Sequence, residues 1–330
     1  MMKQLLVSPS PHVHGEANTR KLMRDVVIAL LPAVAVSIYF FGFSAIKMLV
    51  VALVSCLLVE WLIQKFLLKG ECTICDWSAT VTAVLLMLNL PPAAPWWIMV
   101  IGAVVAIGIA KMTFGGLGQN LFNPALVGRV FLLVSFPVIM TTWTTPEGWF
   151  GASVDAVSGA TPLAFVKEAL KNGATVQEIF EANPGLSWSQ LLFARVGSAG
   201  EISAIALLIG FVYLLARKVI RPHITLSIWI SVFVFAGILW LANPARFVDP
   251  VFQLLTGGML LGSIFMATDY VTSPMTPKGQ IIFGCGIGIL TVLIRTFGAY
   301  PEGISFAILI MNAVVPLINM YVKPKRFGRK

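Results

Sequence analysis

Long apolar runs alternate with short polar segments along most of this 330-residue chain. Ten of the runs approach about 20 residues, the length at which a straight helix crosses the hydrocarbon core of a bilayer. They predict helices at residues 26–44, 46–66, 77–91, 96–112, 122–142, 202–218, 223–242, 250–268, 280–297 and 303–321. The pattern therefore predicts an all-α integral membrane protein with about ten transmembrane helices.

The composition agrees with this prediction. Charged residues make up 11% of the chain and hydrophobic residues 58%, whereas a soluble domain carries about 25% charged residues. The formal net charge is +9, but the basic residues lie between the apolar runs and near both termini. Basic residues in those positions orient membrane proteins, so the charge does not indicate nucleic-acid binding.

Lysine and arginine residues divide unequally between the two sides of the predicted helix array. Of the 23, we assign 17 to the side of both termini, and Arg129 is among them. The other side receives six, namely Lys47, Lys167, Lys171, Arg195, Arg246 and Arg295. Because cytoplasmic loops are enriched in basic residues, we predict that both termini are cytoplasmic.

The predicted helices form two groups of five. They divide the chain into an N-terminal cytoplasmic tail (1–25), a first half (26–142), an extracytoplasmic loop (143–201), a second half (202–321) and a basic cytoplasmic tail (322–330). The run from Pro95 to Thr113 is similar to the run from Pro277 to Thr296, and both continue with Phe-Gly. Five is an odd number, so related halves predict a 5+5 inverted repeat with broken helices. Chance similarity in an apolar sequence of low diversity is the alternative.

A glycine-rich interruption is the first candidate ligand site. Residues 112–124 read Met-Thr-Phe-Gly-Gly-Leu-Gly-Gln-Asn-Leu-Phe-Asn-Pro and contain Gly115, Gly116, Asn120 and Asn123. Glycine lets backbone approach a planar ligand, and unwound backbone at membrane depth lines cavities. An ordinary loop between helices is the alternative.

Two further interruptions are weaker candidates. Residues 267–274 contain Thr268 and Asp269, whose side chains could bind a cation or a ring system, or could form a turn exposed to water. Residues 89–95 follow a short apolar run, which is typical of a tilted or half helix.

Few other residues indicate chemistry. Glu60 is the only carboxylate well inside a predicted span, so it is a functional candidate or one member of a structural ion pair. Cys72 and Cys75 have the spacing of a redox or metal pair but lack the further ligands of a zinc site. We therefore predict no metal site and no catalytic residue, and redox chemistry would need an organic cofactor.

Three motifs carry a resemblance to a known family. They are Ser158-Gly159-Ala160-Thr161 in the extracytoplasmic loop, the segment from Phe114 to Leu126, and the segment from Gly262 to Pro274. Together with the predicted ten helices, they resemble RnfD, the D component of the Rnf electron-transport complex, and its homologue, the B component of the Na⁺-translocating NADH:quinone reductase. The similarity extends over nearly the whole chain.

The resemblance implies that Thr161 carries FMN through a phosphoester, attached outside the cytoplasm by a flavin transferase. Ser158, Gly159 and Ala160 would belong to the attachment motif, with small residues giving the transferase access to the hydroxyl and Ser158 able to hydrogen-bond the phosphate. A small-residue turn at a helix entry is the structural alternative.

The resemblance also implies a noncovalent riboflavin in the bundle near the cytoplasmic side. We expect its pocket to include Gly115, Gly116, Asn120, Asn123, Thr268 and Asp269.

The implied role is an electron relay in the bacterial inner membrane. The family couples electron transfer between ferredoxin and NAD to movement of Na⁺ or H⁺. Expected partners are membrane lipid, the flavin-bearing RnfG, the membrane proteins RnfA and RnfE, and the peripheral proteins RnfB and RnfC. This chain has no iron–sulfur cysteine pattern and no dinucleotide-binding fingerprint, so it would not be catalytic alone. The competing hypothesis is a small-solute channel or transporter of inverted-repeat fold without redox chemistry.

Overall fold

Apolar runs of the first half form helices that cross the molecule. The computed structural model describes residues 18–69, 73–144, 158–182, 192 and 197–323. The first half contains α1 (Thr19–Phe41), α2 (Phe43–Leu62) with a π-helical continuation (Ile63–Leu68), α3 (Ser78–Asn89), α4 (Trp96–Ala103) with a π-helical continuation (Val104–Ile109), and α5 (Pro124–Ser135). Short 3₁₀ turns at Ile74–Asp76 and Met112–Phe114 lie before α3 and after α4.

The polar interval between the halves has its own small structure. Its elements are α6 (Pro137–Thr141), β1 (Trp143–Thr144), β2 (Ser158–Gly159), α7 (Pro162–Lys171) and α8 (Val176–Ala182). The two strands are antiparallel, with Trp143 opposite Gly159. Buried side chains of α7 and α8 pack against Val248 and Phe252 of the second half.

The second half is also helical. Its elements are α9 (Ala204–Ala216), α10 (His223–Ala242), α11 (Pro250–Leu255), α12 (Met259–Leu261) with a π-helical continuation (Gly262–Met266), α13 (Pro277–Phe297) and α14 (Ile304–Tyr321). Helix α2 packs against α3 and α4 in the first half, and α10 packs against α11 and α13 in the second. The 5+5 inverted repeat stays a prediction.

The described helices have the length and composition of membrane spans. Within the described residues, 6 helices are long and apolar enough to cross a bilayer, and α3, α5 and α9 are shorter apolar helices. One hydrophobic core joins both halves, and large apolar side chains cover much of the outer surface. The prediction of an all-α integral membrane protein is confirmed.

Most predicted helix boundaries differ from the structure by a few residues, and three predicted helices differ more strongly. Helix α1 begins at Thr19 rather than 26, because Asn18 caps it by accepting a hydrogen bond from the backbone N–H of Arg20 at 3.3 Å. The predicted helix 122–142 ends at Ser135 and resumes at Pro137, whose ring disfavours continued helix.

The third difference is an interruption inside a predicted helix. The predicted helix 250–268 is interrupted after Leu255, where Gly257 and Gly258 have φ angles of +64° and +60°. A side chain is disfavoured at such angles, so this glycine pair permits the break. The apolar residues on both sides concealed the interruption in the sequence.

Candidate functional site

Thr161 lies at the N-terminus of α7. Its Oγ1 accepts a hydrogen bond from the backbone N–H of Ala164 at 3.2 Å, and Pro162 occupies the first helical position. No acidic residue is present in the first turn. The positive end of the helix dipole and the free backbone N–H groups there favour an anion.

A cavity of about 270 Å³ adjoins this helix terminus, and we call it the Thr161 cavity. Most of its wall is apolar or aromatic, with Met140, Trp143 and Tyr300 among the lining residues. Arg129 and Glu302 supply its charged groups. The Thr161 side chain is only 3% exposed, whereas the attachment motif predicts an accessible loop.

Arg129 is a residue of the Thr161 cavity that the sequence alone did not reveal. It is buried in α5, and its guanidinium donates hydrogen bonds to the Glu302 carboxylate and to Oγ of Ser305. Its Nε has no hydrogen-bond partner among the described residues. The charge count assigns Arg129 to the cytoplasmic side, but this residue lines the same cavity as Thr161. Moving it leaves 16 basic residues on one side and seven on the other, so the asymmetry remains.

Further buried polar groups surround the interruption between α11 and α12. Arg295 donates hydrogen bonds to the backbone carbonyls of Gln253, Thr256 and Gly257, at 2.8 Å for Thr256 and 2.7 Å for Gly257. Oγ of Ser198 donates to Glu201 at 2.8 Å. The carbonyls freed by the broken helix therefore have a cationic partner inside the protein.

The Asn and Asp residues predicted to bind a noncovalent ligand do come together. Asn120, Asn123, Thr268 and Asp269 line one cavity of about 80 Å³, which we call the Asn123 cavity. Asn123 caps α5 and donates to the carbonyl of Met266 at 3.1 Å, which ties α5 to the second half. Oγ1 of Thr272 donates to Asp269 at 3.2 Å, so this carboxylate is bonded within the protein rather than left only to water.

Gly115 and Gly116 line a neighbouring cavity instead. That cavity measures about 380 Å³, and Leu117 lines both it and the Asn123 cavity. The φ angles of Gly115 and Gly116 are +107° and +93°, so these turns require glycine for conformational reasons alone. The Thr161 cavity and the Asn123 cavity have no lining residue in common.

The sequence candidate Glu60 is one member of a buried ion pair. Nζ of Lys111 lies 2.9 Å from both carboxylate oxygens of Glu60 and donates to Oγ of Ser78 at 2.6 Å. The Glu60 side chain is 0% exposed and that of Lys111 is 2% exposed. Glu60 is therefore paired with Lys111, and this ion pair joins α2 to the end of α4.

The absence of a metal site at the cysteine pair stays a prediction. Cys75 is exposed, and Cys72 lies outside the described residues. In the described part of the chain, no group of three or more His, Cys, Asp or Glu side chains could hold a metal ion.

The other residues of the attachment motif lie beside Thr161 in the chain. Ser158 and Gly159 are described only by their strand pairing with β1, and Ala160 lines the Thr161 cavity.

Comparison with known proteins identifies the family. The model of the NQR2, RnfD, RnfE family matches residues 6–328. The chain belongs to this family. It is 44% identical over 326 residues to the D component of the Na(+)-translocating ferredoxin:NAD(+) oxidoreductase complex of Acetobacterium woodii, covering 98% of this chain and 95% of that relative.

Two other relatives extend the comparison. The D component of the proton-translocating ferredoxin:NAD(+) oxidoreductase complex of Clostridium ljungdahlii is 42% identical, with 98% of this chain and 96% of the relative covered. The D component of the ion-translocating oxidoreductase complex of Pectobacterium carotovorum is 39% identical, with 98% of this chain and 99% of that relative covered. Relatives of nearly equal similarity are named for different ions, so overall identity does not discriminate Na⁺ from H⁺.

The buried ion pair generates a stability prediction. Lys111→Met leaves the Glu60 carboxylate without its cationic partner, which we expect to lower the free energy of unfolding by about 3–5 kcal/mol. The double variant Glu60→Gln/Lys111→Met removes both charges and should recover most of the loss. The free energies of unfolding of both variants are measured on the purified chain in mild detergent, with circular dichroism as the signal.

Lys47→Met is the matched control, because Lys47 is exposed in α2 and has no described salt bridge. Equal effects of Lys47→Met and Lys111→Met would contradict a stabilising role for the buried pair.

Proposed function

We propose that this chain is an electron-relaying membrane component of an Rnf-type complex that couples electron transfer between ferredoxin and NAD to translocation of Na⁺ or H⁺. The observation that carries the proposal is similarity over 98% of the chain to relatives named as D components of such complexes. The all-α membrane fold agrees with this role. The partners would be the flavin-bearing RnfG, the membrane proteins RnfA and RnfE, and the peripheral proteins RnfB and RnfC.

The covalent cofactor in this proposal is FMN, attached as a phosphoester to Thr161. Three features of the chain suit such a group. The Thr161 hydroxyl lies at the N-terminus of α7, the backbone N–H of Ala164 points to it, and the unpartnered Nε of Arg129 belongs to the same cavity. A phosphodiester carries negative charge, which helix N-termini and guanidinium groups bind well.

Each part of the cavity would have a separate task. Arg129 would bind the phosphate, and Glu302 would hold the guanidinium in place from its other side. The apolar side chains of Met140 and Trp143 would exclude water from a ring system. When bound, FMN supplies the capacity to exchange one or two electrons.

The noncovalent flavin would bind at the Asn123 cavity. Amide and carboxyl groups of Asn120, Asn123 and Asp269 can hydrogen-bond the polar edge of a ring system, and Thr268 adds a hydroxyl. The cavity volume of about 80 Å³ is below the usual range of about 300–1,000 Å³ for ligand pockets. Binding would therefore require the cavity to widen, for example by displacing Leu117 toward the neighbouring glycine-lined cavity.

In-gel flavin fluorescence tests the covalent attachment. Native protein from cells that contain the flavin transferase should give a fluorescent band after denaturing electrophoresis, and Thr161→Ala should give none. Thr175→Ala is a matched control, because Thr175 precedes α8 in the same loop and accepts a hydrogen bond at that helix start. A dark native band would contradict the relay and favour the small-solute channel.

The second test addresses Arg129. The double variant Arg129→Gln/Glu302→Gln removes the guanidinium without leaving an unpaired buried carboxylate, and Arg129→Lys keeps the positive charge. A hydrogen bond to a charged group contributes about 1.5–3 kcal/mol, so we expect flavin attachment to be about tenfold or more slower in the double variant and the flavin per protein to fall. Arg129→Lys should lose less. Flavin loading is measured by fluorescence and by the mass of the Thr161 peptide. Unchanged loading in the double variant by both measurements would contradict phosphate binding by Arg129.

The third test separates the two flavins. Asp269→Ala should release riboflavin from the purified complex, measured by extraction and chromatography, while the covalent fluorescence of the band remains. Asp249→Asn is the control, because Asp249 caps α11 outside the Asn123 cavity. Full retention of riboflavin in Asp269→Ala would rule out a role for Asp269 in that site.

A further inference from the structure

A second large cavity lies on the other face of α7, between this helix and the ends of α10 and α13. Its volume is about 530 Å³, and we call it the basic cavity. Four cationic residues line it, namely Lys167, Lys171, Arg246 and Arg295. None of its described lining residues is an aspartate or glutamate.

This concentration of positive charge is unexpected on this side of the molecule. The side that carries Thr161 receives only seven of the 23 lysines and arginines, counting Arg129. Four of the seven line a single cavity. Like charges at close range repel one another. A bound anionic group would reduce this repulsion between the four side chains.

The described contacts leave the positive charges of Lys167, Lys171 and Arg246 without a carboxylate partner. Nζ of Lys167 donates to the backbone carbonyls of Gly298 at 2.6 Å and Tyr300 at 3.2 Å, which are neutral groups. Burial and the nearby Lys171 charge lower the pKa of Lys167, as expected where cations are close together. No described carboxylate forms a salt bridge with Lys167, Lys171 or Arg246.

Exposed apolar side chains border the basic cavity. The rings of Phe247 and Phe297 are 6.4 Å apart, and both residues line it. Phe297 is 64% exposed, and Leu241, which precedes the lining residue Asn243 at the end of α10, is 75% exposed but does not itself line the cavity. A ligand with an anionic group and long apolar chains matches this combination of charge and exposed hydrocarbon surface.

We propose that the basic cavity binds the headgroup of an anionic phospholipid. Its phosphate would contact Lys171 and Arg246, and its acyl chains would lie along Phe297 and Leu241. The site is separate from both proposed flavin sites and does not depend on them. It would fix the extracytoplasmic loop to the lipid bilayer beside Thr161.

Lipid binding to the full purified chain tests the proposal. Native mass spectrometry would measure binding of dioleoyl phosphatidylglycerol and of dioleoyl phosphatidylcholine at equal concentrations. We expect preference for phosphatidylglycerol. Each basic residue near an anionic lipid contributes about 1 kcal/mol, so Arg246→Gln and Lys171→Gln should each weaken that binding about fivefold.

Lys47→Gln is the matched control, because Lys47 is exposed on the same predicted side but does not line the cavity. It should bind phosphatidylglycerol as the native chain does. Arg295 and Lys167 are left unchanged, since both hold backbone carbonyls in place.

Several outcomes would overturn the proposal. Equal binding of the two lipids would contradict recognition of anionic charge. Equal losses of phosphatidylglycerol binding in Lys47→Gln and Arg246→Gln would contradict binding at the basic cavity. Inorganic phosphate that displaces phosphatidylglycerol at equal concentration would indicate a site for a free anion rather than a lipid. If one variant does not fold, the other still measures the contribution of its charge, and unchanged binding there contradicts the proposal.

Discussion

The need to satisfy buried polar groups in a bilayer constrains this structure more than any other factor. A backbone carbonyl without a partner in hydrocarbon costs several kcal/mol, so a broken helix persists only where the protein supplies a donor. Arg295 supplies it for the carbonyls at Thr256 and Gly257. The ends of α11 and α12 can therefore meet inside the bundle, and the second half has a polar interruption without exposure of backbone to lipid.

A basic residue at the end of the fourth helix serves a related purpose in the first half. Lys111 follows the π-helical end of α4 and neutralises Glu60 of α2, while Arg295 near the end of α13 holds the broken helix of the second half. The two residues occupy similar places in the two sets of five helices but bind different partners. The first half thus has a closed ion pair near the end of α4, and the second half has a helix break whose carbonyls bind Arg295.

Much of the fold could be predicted from the sequence, because apolar length is a local property. The helices α10 and α14 agree with their predicted boundaries within a residue. The break at Gly257 was missed, because the apolar residues on both sides of the Gly257-Gly258 pair favoured one continuous span and the donor, Arg295, comes from a distant helix. The same applies to the Thr161 cavity. Its motif is local, whereas Arg129, Tyr300 and Glu302 approach it only through folding.

The position of Thr161 has a consequence for biosynthesis. Its hydroxyl is buried and already accepts a hydrogen bond from the start of α7, so a modifying enzyme cannot reach it in the packed chain. Any covalent group must be added before α7 closes over the cavity, or during a local opening of that segment. Attachment would then be a timed event that competes with folding. A chain that packs before attachment would be stable and correctly inserted, but it could gain the group only through such an opening.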